Sequence, residues 1–355
     1  MRSRFLPWLG ALVMALALLP VPVLGQASGA VGKTRKPAVA KTNEAWTTPL
    51  TRDGQPDLQG IWLSNSATPL ERPLELKGRQ FLTDDEVAEL KKRAERIFAR
   101  PDSDYAAGDS PFLSALSNSP IYKNPIGATG GSGEMIEREF DRRTSLIVDP
   151  PDGRIPPMTP EGQRRQAEGL AKSLLVPHAP PRGPEDLSNY LRCITYGVPR
   201  LGGNFGAGHY SYYQIVQIPG YVVLFMEAIH DARIIPLDGR PHLPATVRTW
   251  NGDSRGRWEG QTLVVDTTNF SPNSSFMGAA ENLHLVERFT RVAADEIDQQ
   301  ITLDDPTTWT KPWTAMLRLK PTTDRIYEFA CHEGNLPVMG ILRAARAEEN
   351  TTPKR

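Results

Sequence analysis

Nine short β-type runs follow one another between residues 210 and 331, and this feature limits the fold more than any other. Each run is rich in β-branched and aromatic residues, and tight turns such as Pro-Gly and Asp-Gly separate the runs. Parallel pairing needs a crossover of about a dozen residues, so this close spacing favours an antiparallel meander. The sequence therefore predicts a mainly β fold that closes into a barrel or a strongly curved sheet, with a two-sheet sandwich as the alternative. The runs cover residues 210–218, 221–230, 233–239, 245–250, 261–270, 283–292, 296–303, 316–320 and 325–331.

The first half of the chain has a different pattern, with two candidate helices and little β-type sequence. Thr83 and Glu86 have the spacing of a capping box, and apolar residues recur at helical spacing behind them, which predicts an amphipathic helix over 84–99. A second helix is predicted over 160–175, with Thr159 as its N-cap. The N-terminal part therefore carries two helices beside the β-rich half.

Five segments are expected along the chain. Residues 1–25 have arginines ahead of an apolar run that ends in small residues, which is the pattern of a secretory signal peptide. A basic, flexible lead-in without periodicity covers 26–46, and an N-terminal mixed helix and loop part covers 47–200. The β-meander barrel domain is predicted over 201–348, and a short tail follows at 349–355.

Charge and hydropathy restrict the partners of the mature chain. Lysine and arginine together number 41, as do aspartate and glutamate, and this balance argues against nucleic acid. After removal of the signal peptide, no stretch approaches the roughly 20 apolar residues of a transmembrane helix. We therefore expect a periplasmic or secreted protein whose partner is a small-molecule ligand or substrate.

Cys193 and Cys331 are the two cysteines of the chain. An even pair in an oxidising compartment predicts a Cys193–Cys331 disulfide. Two buried thiols that behave as small apolar residues are the alternative. Neither cysteine has a sequence context that would activate a nucleophilic thiolate, so neither is predicted to be catalytic.

Two histidines mark the ends of the first predicted hairpin, which turns at Pro219-Gly220. With an even loop and no bulge, His209 lies directly opposite His230. Opposed residues have Cβ atoms about 5 Å apart, which is close enough for two imidazoles to share a proton, a metal or a ligand. The sequence therefore predicts His209 and His230 as catalytic residues, or as ligands if the cofactor is one divalent metal, with Tyr213 on the same face.

Asp253, His284 and Glu287 complete the predicted acid–base set in the β-rich half. An imidazole that titrates near neutrality can move a proton, and a carboxylate can orient it. Arg240 is the candidate for holding an anionic group of a substrate. The alternative is that the acidic and basic residues of LDGRPH and NGDSRGRW only bond the backbone of tight turns.

Aromatic residues supply the predicted substrate contacts. Trp309 and Trp313 lie in DDPTTWTKPWT, residues 304–314, where two tryptophans and two prolines in a long connection predict a stiff flap over an opening. With Tyr213, they would line a pocket for a flat or sugar-like ligand. Tryptophans that fill the core of the barrel are the alternative.

Four long runs resemble a large family of secreted bacterial proteins that has no assigned activity. The resemblance covers most of the chain from about Asp57 to Glu348, and it implies no cofactor and no catalytic residue. GRWEGQTLVV is also similar to the turn and strand pieces of lipocalin-like barrels, which is an analogy of fold alone. The four runs are RTSLIVDPPDGRIPP, QIVQIPGYVVLFMEAIHDARIIPLDGRPHLP, GDSRGRWEGQTLVVDTTNF, and ENLHLVERFTRV with DDPTTWTKPWT.

Three functions remain open from the sequence. The first is a secreted or periplasmic hydrolase or lyase that acts on a small organic or carbohydrate-derived substrate by histidine and carboxylate acid–base or metal-assisted chemistry. The second is a lipocalin-like protein that binds a small ligand without turnover. The third is a cell-envelope interaction protein without a small-molecule site. A polar, histidine-lined site favours the first, a dry aromatic cavity the second, and a filled barrel the third.

Overall fold

The β-rich part of the chain forms one antiparallel sheet in the structure, a computed structural model that describes residues 46–104, 108–124, 138–172, 180–198, 212–274 and 276–351. Its ten strands are β1 (Gly60–Leu63), β2 (Ile147–Asp149), β3 (Tyr212–Ile218), β4 (Tyr221–Met226), β5 (Ala232–Pro236), β6 (Asp253–Glu259), β7 (Thr262–Thr268), β8 (His284–Ala293), β9 (Glu296–Asp304) and β10 (Trp313–Pro321). Pairing follows the order β5-β4-β3-β1-β10-β9-β8-β7-β6, and β2 adds a short pairing to β10. This path of nine strands is nearly closed into a barrel, which confirms the predicted fold class.

The barrel approaches closure where its two end strands, β5 and β6, meet. A Cβ atom added to Gly256 of β6 would lie 2.8 Å from Ile235 Cγ2 and 2.6 Å from Leu237 Cδ2. Both distances are too short for a real contact, so the side chains of β5 and of the residue after it rest directly on the glycine backbone. Glycine at this position lets the two end strands come together.

The first hairpin has the register that the sequence predicts. Ile218 pairs with Tyr221 across the Pro219-Gly220 turn, and the pairing continues to Tyr213 opposite Met226. Gly220 has a φ of 78°, which a glycine adopts without the steric penalty of a side chain. The strand itself ends at Met226, however, and does not continue to residue 230 as predicted.

Two apolar clusters occupy the inner face of the sheet. One is built around Trp313, Leu285 and Leu303, and the other around Trp62 and Phe289. These side chains alternate along their strands with outward-facing polar ones, for example over β9, where every second residue is buried. Because of this alternation, the position of a polar residue along its strand determines whether its side chain faces the inside or the outside of the barrel.

Strand β6 was missed, and residues 245–250 were wrongly predicted as a strand. Residues 253–259 form β6, where the sequence predicted no strand. The outward side chains of β6 are charged, and its inward ones are Ser254, Gly256 and Trp258, so the strand lacks the usual apolar alternation. Residues 245–250 lie in a connection instead, where Val247 is exposed and Thr249 bridges to Phe270.

The C-terminal region also differs from the prediction. Residues 325–331 form no strand, and a helix follows over Leu336–Thr351, numbered α4 below. Leucine, methionine, alanine and arginine in this stretch are strong helix formers, which is the signal that sequence analysis missed. The predicted barrel boundary at residue 348 therefore falls inside a helix.

The predicted helices are confirmed. The first, α1 (Asp84–Phe98), begins at Thr83 with both hydrogen bonds of the capping box to Glu86. A shorter helix, α2 (Ser110–Leu116), packs on α1 around Phe112. The second predicted helix is α3 (Pro160–Lys172), and Thr159 Oγ1 accepts a hydrogen bond from the Gly162 N–H at its start. Its predicted continuation to residue 175 lies outside the described residues.

The N-terminal part is not separate from the sheet. β1 lies between β3 and β10, and β2 pairs with β10, so the predicted part 47–200 contributes two strands to the sheet of the predicted part 201–348. The predicted signal peptide and most of the lead-in lie outside the described residues.

A disulfide joins Cys193 to Cys331 across 138 positions of sequence, which confirms the predicted pairing. Its Cα atoms are 5.7 Å apart, a usual separation for a bridged pair. A disulfide is compatible with an oxidising compartment. In the part of the chain that the structure describes, no helix has the length and apolar character needed to cross a membrane.

Candidate functional site

Two predicted residues, Asp253 and His284, lie at one end of the barrel, called here the β8 end. β6 and β8 begin at this end, and β7 and β9 end there, since Asp253 pairs with Thr268 and His284 pairs with Asp304. β5 begins at the same end, because Arg233 of β5 donates to Ser254 of β6. The strand register therefore brings together side chains that are far apart in the sequence.

Five charged or titratable residues form a continuous chain of contacts on the outside of the wall. We call this set the outer-wall chain. Its centre is His242, which lies in the connection between β5 and β6. His242 Nδ1 is 2.9 Å from Asp253 Oδ2, and its Nε2 is 3.0 Å from Asp266 Oδ1. The other oxygen of Asp266 is 3.0 Å from His284 Nε2. The members are Arg255, Asp253, His242, Asp266 and His284.

Asp253 anchors one end of the outer-wall chain. Its Oδ2 also accepts the Leu243 N–H at 2.9 Å, and its Oδ1 accepts from Arg255 Nη1 at 2.6 Å. Burial by itself would raise the pKa of Asp253, but the hydrogen bonds from Leu243, His242 and Arg255 outweigh it, so the pKa lies below its ordinary value. Asp253 is therefore an anion that holds His242 in place.

His284 forms the other end of the chain and is the most exposed of its histidines. Its side chain is 45% exposed, against 28% for His242. The hydrogen bond to Asp266 raises the pKa of His284, against the opposing effect of burial, and the charge of Asp304 adds to the rise. The same hydrogen bond is the main reason why the pKa of Asp266 is lowered. Within the described part of the chain, His284 Nδ1 makes no hydrogen bond.

Sequence analysis named two members of this chain and missed the others. Asp253 and His284 were predicted as catalytic residues, and the structure brings them to the same outer face. Asp266 and His242 were missed. The β6–β7 hairpin turns at Gly260, and counting pairs from there places Asp266 opposite Arg255, so the hairpin register was the available signal for Asp266. No local pattern predicts that the loop carrying His242 lies over the wall.

Glu287 does not belong to the outer-wall chain. It lies on the inner face of β8, between Leu285 and Phe289, and its side chain is 3% exposed. Glu287 Oε2 is 2.6 Å from Arg233 Nη2, an ion pair whose alignment lies outside hydrogen-bond geometry, and Oε1 accepts from Gln299 Nε2 at 3.1 Å. We call this set the inner network; its members are Arg233, Ser254, Thr267, Glu287 and Gln299. Glu287 is thus separated by the barrel wall from His284, its predicted partner in catalysis.

The predicted histidine pair is only half described. His209 lies outside the described residues, so its approach to His230 remains a prediction. His230 itself lies in a turn after β4 and not on a strand, with a φ of 56°. Its Nδ1 accepts a hydrogen bond from the Phe329 N–H at 2.9 Å. The same turn carries Glu227, whose pKa is raised by burial and partly restored by a hydrogen bond from the Tyr327 N–H.

The predicted flap is wrong. Trp309 and Trp313 are 1% and 0% exposed, and their rings meet edge to face with centroids 5.5 Å apart. Both belong to the first apolar cluster, because Trp313 starts β10 on its inward face and the turn after Asp305 places Trp309 beside it. The alternative that these tryptophans fill the core is therefore correct.

The other two predicted substrate contacts lie apart from the outer-wall chain. Tyr213 is 4% exposed and packs in the second apolar cluster. Arg240 is exposed in a turn, where it pairs with Asp238, and its Nη2 is 3.4 Å from the Tyr221 hydroxyl. Asp238 Oδ1 also accepts the Arg240 backbone N–H at 3.2 Å, which is the turn arrangement that sequence analysis gave as the alternative.

A metal site is not apparent within the described ranges. Over those residues, no group of three or more histidine, cysteine, aspartate or glutamate side chains is arranged to hold a metal ion. In the outer-wall chain, the facing nitrogen and oxygen atoms already bond one another. The proposal of a divalent metal between His209 and His230 stays a prediction.

Comparison with known proteins gives no family assignment. No family model matches the chain, and a search of curated proteins found no match either. The geometry of the site therefore carries the functional argument alone.

Proposed function

We propose that this protein is a secreted or periplasmic hydrolase or lyase that acts on a small organic or carbohydrate-derived substrate by histidine and carboxylate acid–base chemistry. The observation that supports this best is the contact of 3.0 Å between His284 Nε2 and Asp266 Oδ2. A carboxylate that receives one imidazole N–H leaves the other ring nitrogen as the base. In His284 that nitrogen is Nδ1, on a half-exposed side chain that a substrate can reach.

Asp266 would have two tasks in such a reaction. It orients the neutral imidazole of His284, and its negative charge stabilises the imidazolium that forms when Nδ1 takes a proton. His242 binds the second oxygen of Asp266, and Asp253 holds His242, so the carboxylate cannot rotate freely. The outer-wall chain thus fixes the geometry of one acid–base residue, while water or a substrate carbon supplies the proton.

The acid and base forms of His284 suit the two reaction types. As a base, it would activate water for hydrolysis or remove a proton for elimination. As an acid, it would return that proton to the leaving group. Because the pKa of His284 is raised, the base-dependent step should accelerate as pH rises through that pKa.

A lipocalin-like binding function is the second candidate, and the inner network is the observation that favours it. Arg233 Nε and Gln299 Oε1 are buried without a hydrogen-bond partner, although both belong to this polar set inside an otherwise apolar barrel. Buried polar atoms normally have a hydrogen-bond partner, so a polar small molecule in the barrel would supply the missing hydrogen bonds.

The test is turnover by the mature protein and by His284→Gln. Suitable substrates are 4-nitrophenyl esters and glycosides for hydrolysis, and uronic acid oligosaccharides for elimination. If His284 is the acid–base residue, the variant should lose about 10²- to 10⁴-fold in kcat, which is the usual contribution of such a group. Asp266→Asn should lose activity as well, because it frees the ring from its orienting carboxylate.

His332→Gln is the matched control, since His332 is an exposed histidine outside the outer-wall chain. Turnover that survives His284→Gln at the wild-type rate would rule out the proposed role. Saturable binding of a substrate without turnover, abolished by Gln299→Leu and not by His284→Gln, would favour the binding protein instead.

A further inference from the structure

The segment between β10 and α4, residues 322–335, runs past β1, the start of β3 and the turn after β4 without forming a strand. We call it the strap. At its start, the Thr322 N–H bonds to the Ile61 carbonyl, and Asp324 accepts a hydrogen bond from the Tyr212 hydroxyl at 2.9 Å. At its far end, Cys331 is bonded covalently to Cys193. The strap is therefore tied at both ends to different elements.

Between these ties, two side chains of the turn after β4 hold the strap. Glu227 Oε2 accepts the Tyr327 N–H at 3.3 Å, and His230 Nδ1 accepts the Phe329 N–H at 2.9 Å. Residues two apart in an extended chain point their N–H groups to the same side, so one turn can accept both. The side chains of Glu227 and His230 accept the N–H groups of the strap, as the backbone of a neighbouring strand would accept those of an edge strand.

Apolar burial contributes little to this hold. Tyr327 is 69% exposed, and most other residues of the strap are exposed or half-buried. Phe329 makes a ring contact with Tyr190 at a centroid distance of 6.3 Å. Segments with few buried apolar contacts open at low free-energy cost, so the two side-chain acceptors matter more here than they would in a core.

The turn that supplies these acceptors has an unusual backbone. Ile229 and His230 are consecutive non-glycine residues in the left-handed region, with φ values of 62° and 56°. This conformation is particularly unfavourable for a β-branched residue such as Ile229. The turn is held by hydrogen bonds from Met226 to Asp231 and from His230 to Glu227. Such strain is typical of sites where a side chain must point in one direction.

We propose that the strap is held against the turn after β4 by a pH-sensitive latch, the neutral imidazole of His230. Nδ1 can accept the Phe329 N–H only while it carries no proton. Protonation turns this acceptor into a donor, so two N–H groups face each other and the contact is lost. The strap is then released from the turn between its ties at residues 322–324 and at Cys331.

The charged residues of the turn and the strap are mostly acidic. Glu227 and Asp231 lie in the turn, and the strap contributes Asp324, Glu328 and Glu333 beside the cation Arg325. Asp231 also accepts a hydrogen bond from the Thr195 hydroxyl at 2.9 Å. The proposal does not depend on catalysis at His284, because it concerns only the position of the strap.

Amide hydrogen exchange of the oxidised, full-length mature protein tests the latch directly. Protection of the Phe329 and Tyr327 amides, corrected for intrinsic exchange rates, is measured from pH 8 to pH 5. We expect both amides to lose protection together as pH falls, by about tenfold or more at Phe329, which is the effect of losing one hydrogen bond. In His230→Asn, protection at Phe329 should no longer depend on pH.

Asparagine is the informative replacement because its side-chain oxygen accepts an N–H, does not titrate, and suits a positive φ better than most residues. His332→Asn is the matched control, because it removes a histidine of the strap itself without touching the latch. Protection that is independent of pH in the wild type would overturn the proposal. So would a loss confined to Phe329, or the same pH dependence in His230→Asn.

Discussion

The two faces of β8 carry the same chemistry in opposite surroundings. On the outer face, His284 pairs with Asp266 at 3.0 Å with nearly half of its side chain exposed. On the inner face, Glu287 pairs with Arg233 at 2.6 Å with both side chains at 6% exposure or less. Water screens and competes with the first pair and is excluded from the second. The outer pair is therefore open to proton exchange with solvent, whereas the inner pair is shielded from it.

Desolvation explains why these pairs should respond differently to mutation. A buried ion pair gives little net stability over an apolar replacement, but removal of one partner leaves an unpaired charge away from water. An exposed pair can lose a partner at small cost, because water solvates the remaining charge. The difference between the two faces can thus be measured as a difference in stability, in packing tolerance and in titration.

The largest effect is expected for Glu287→Ala. Loss of this carboxylate leaves Arg233 charged inside the barrel, and breaking such a pair costs about 3–5 kcal/mol. Urea unfolding at neutral pH measures the loss. Glu259→Ala is the control, since Glu259 pairs with Arg288 at 2.9 Å on the exposed face and should lose far less. Equal losses for the two variants would mean that burial does not distinguish the pairs.

A smaller effect is expected for Gly256→Val, beside the inner network. The new side chain would meet Leu237 and Ile235 at the approach of β5 to β6, and overpacking of this kind costs about 1–3 kcal/mol. Gly340→Ala in α4 is the control, because no atom lies within 4 Å of its added Cβ. It should be neutral or slightly stabilising, as alanine favours helix. A tolerated Gly256→Val would show that β5 and β6 are not held in contact.

The smallest effect is expected for Asp266→Asn on the outer face. Loss of the carboxylate should lower the pKa of His284 towards its ordinary value, which NMR titration of the imidazole would report. Because the pKa of His284 is raised in the folded state, its protonated form stabilises the fold at pH values below 6.5, the unfolded pKa. This stabilisation is lost as pH rises through the folded pKa. The lowered pKa of Asp266 stabilises above its unfolded value of 3.8 and is lost as pH falls through the folded pKa.

The substitution Asp266→Asn should therefore lower the free energy of unfolding most in mildly acidic solution, between pH 3.8 and pH 6.5. The drop should be below about 1 kcal/mol, because solvent screens the half-exposed pair. Urea midpoints at pH 5.5 and at pH 9 compare the two conditions. A larger drop at pH 9 than at pH 5.5 would contradict the assigned charges.

Local patterns predicted more of this molecule than long-range ones. The capping box of α1, the start of α3 and the register of the first hairpin follow from neighbouring residues, and all are confirmed. β6 was missed because two of its three inward residues, Ser254 and Gly256, are small and do not show apolar alternation. The flap was wrong because burial of Trp309 and Trp313 depends on what lies opposite them.

The sequence by itself determined the antiparallel meander, since close spacing of strands forbids crossovers, and it determined that His284 and Glu287 lie on opposite faces, since a strand alternates. The disulfide partners also followed from there being two cysteines. Only the tertiary structure decided that β1 enters the sheet between β3 and β10, that the connection after β5 lays His242 across Asp253 and Asp266, and that His230 turns to the strap. These contacts join residues whose separation in sequence carries no local signal, so the closure of the barrel brings them together.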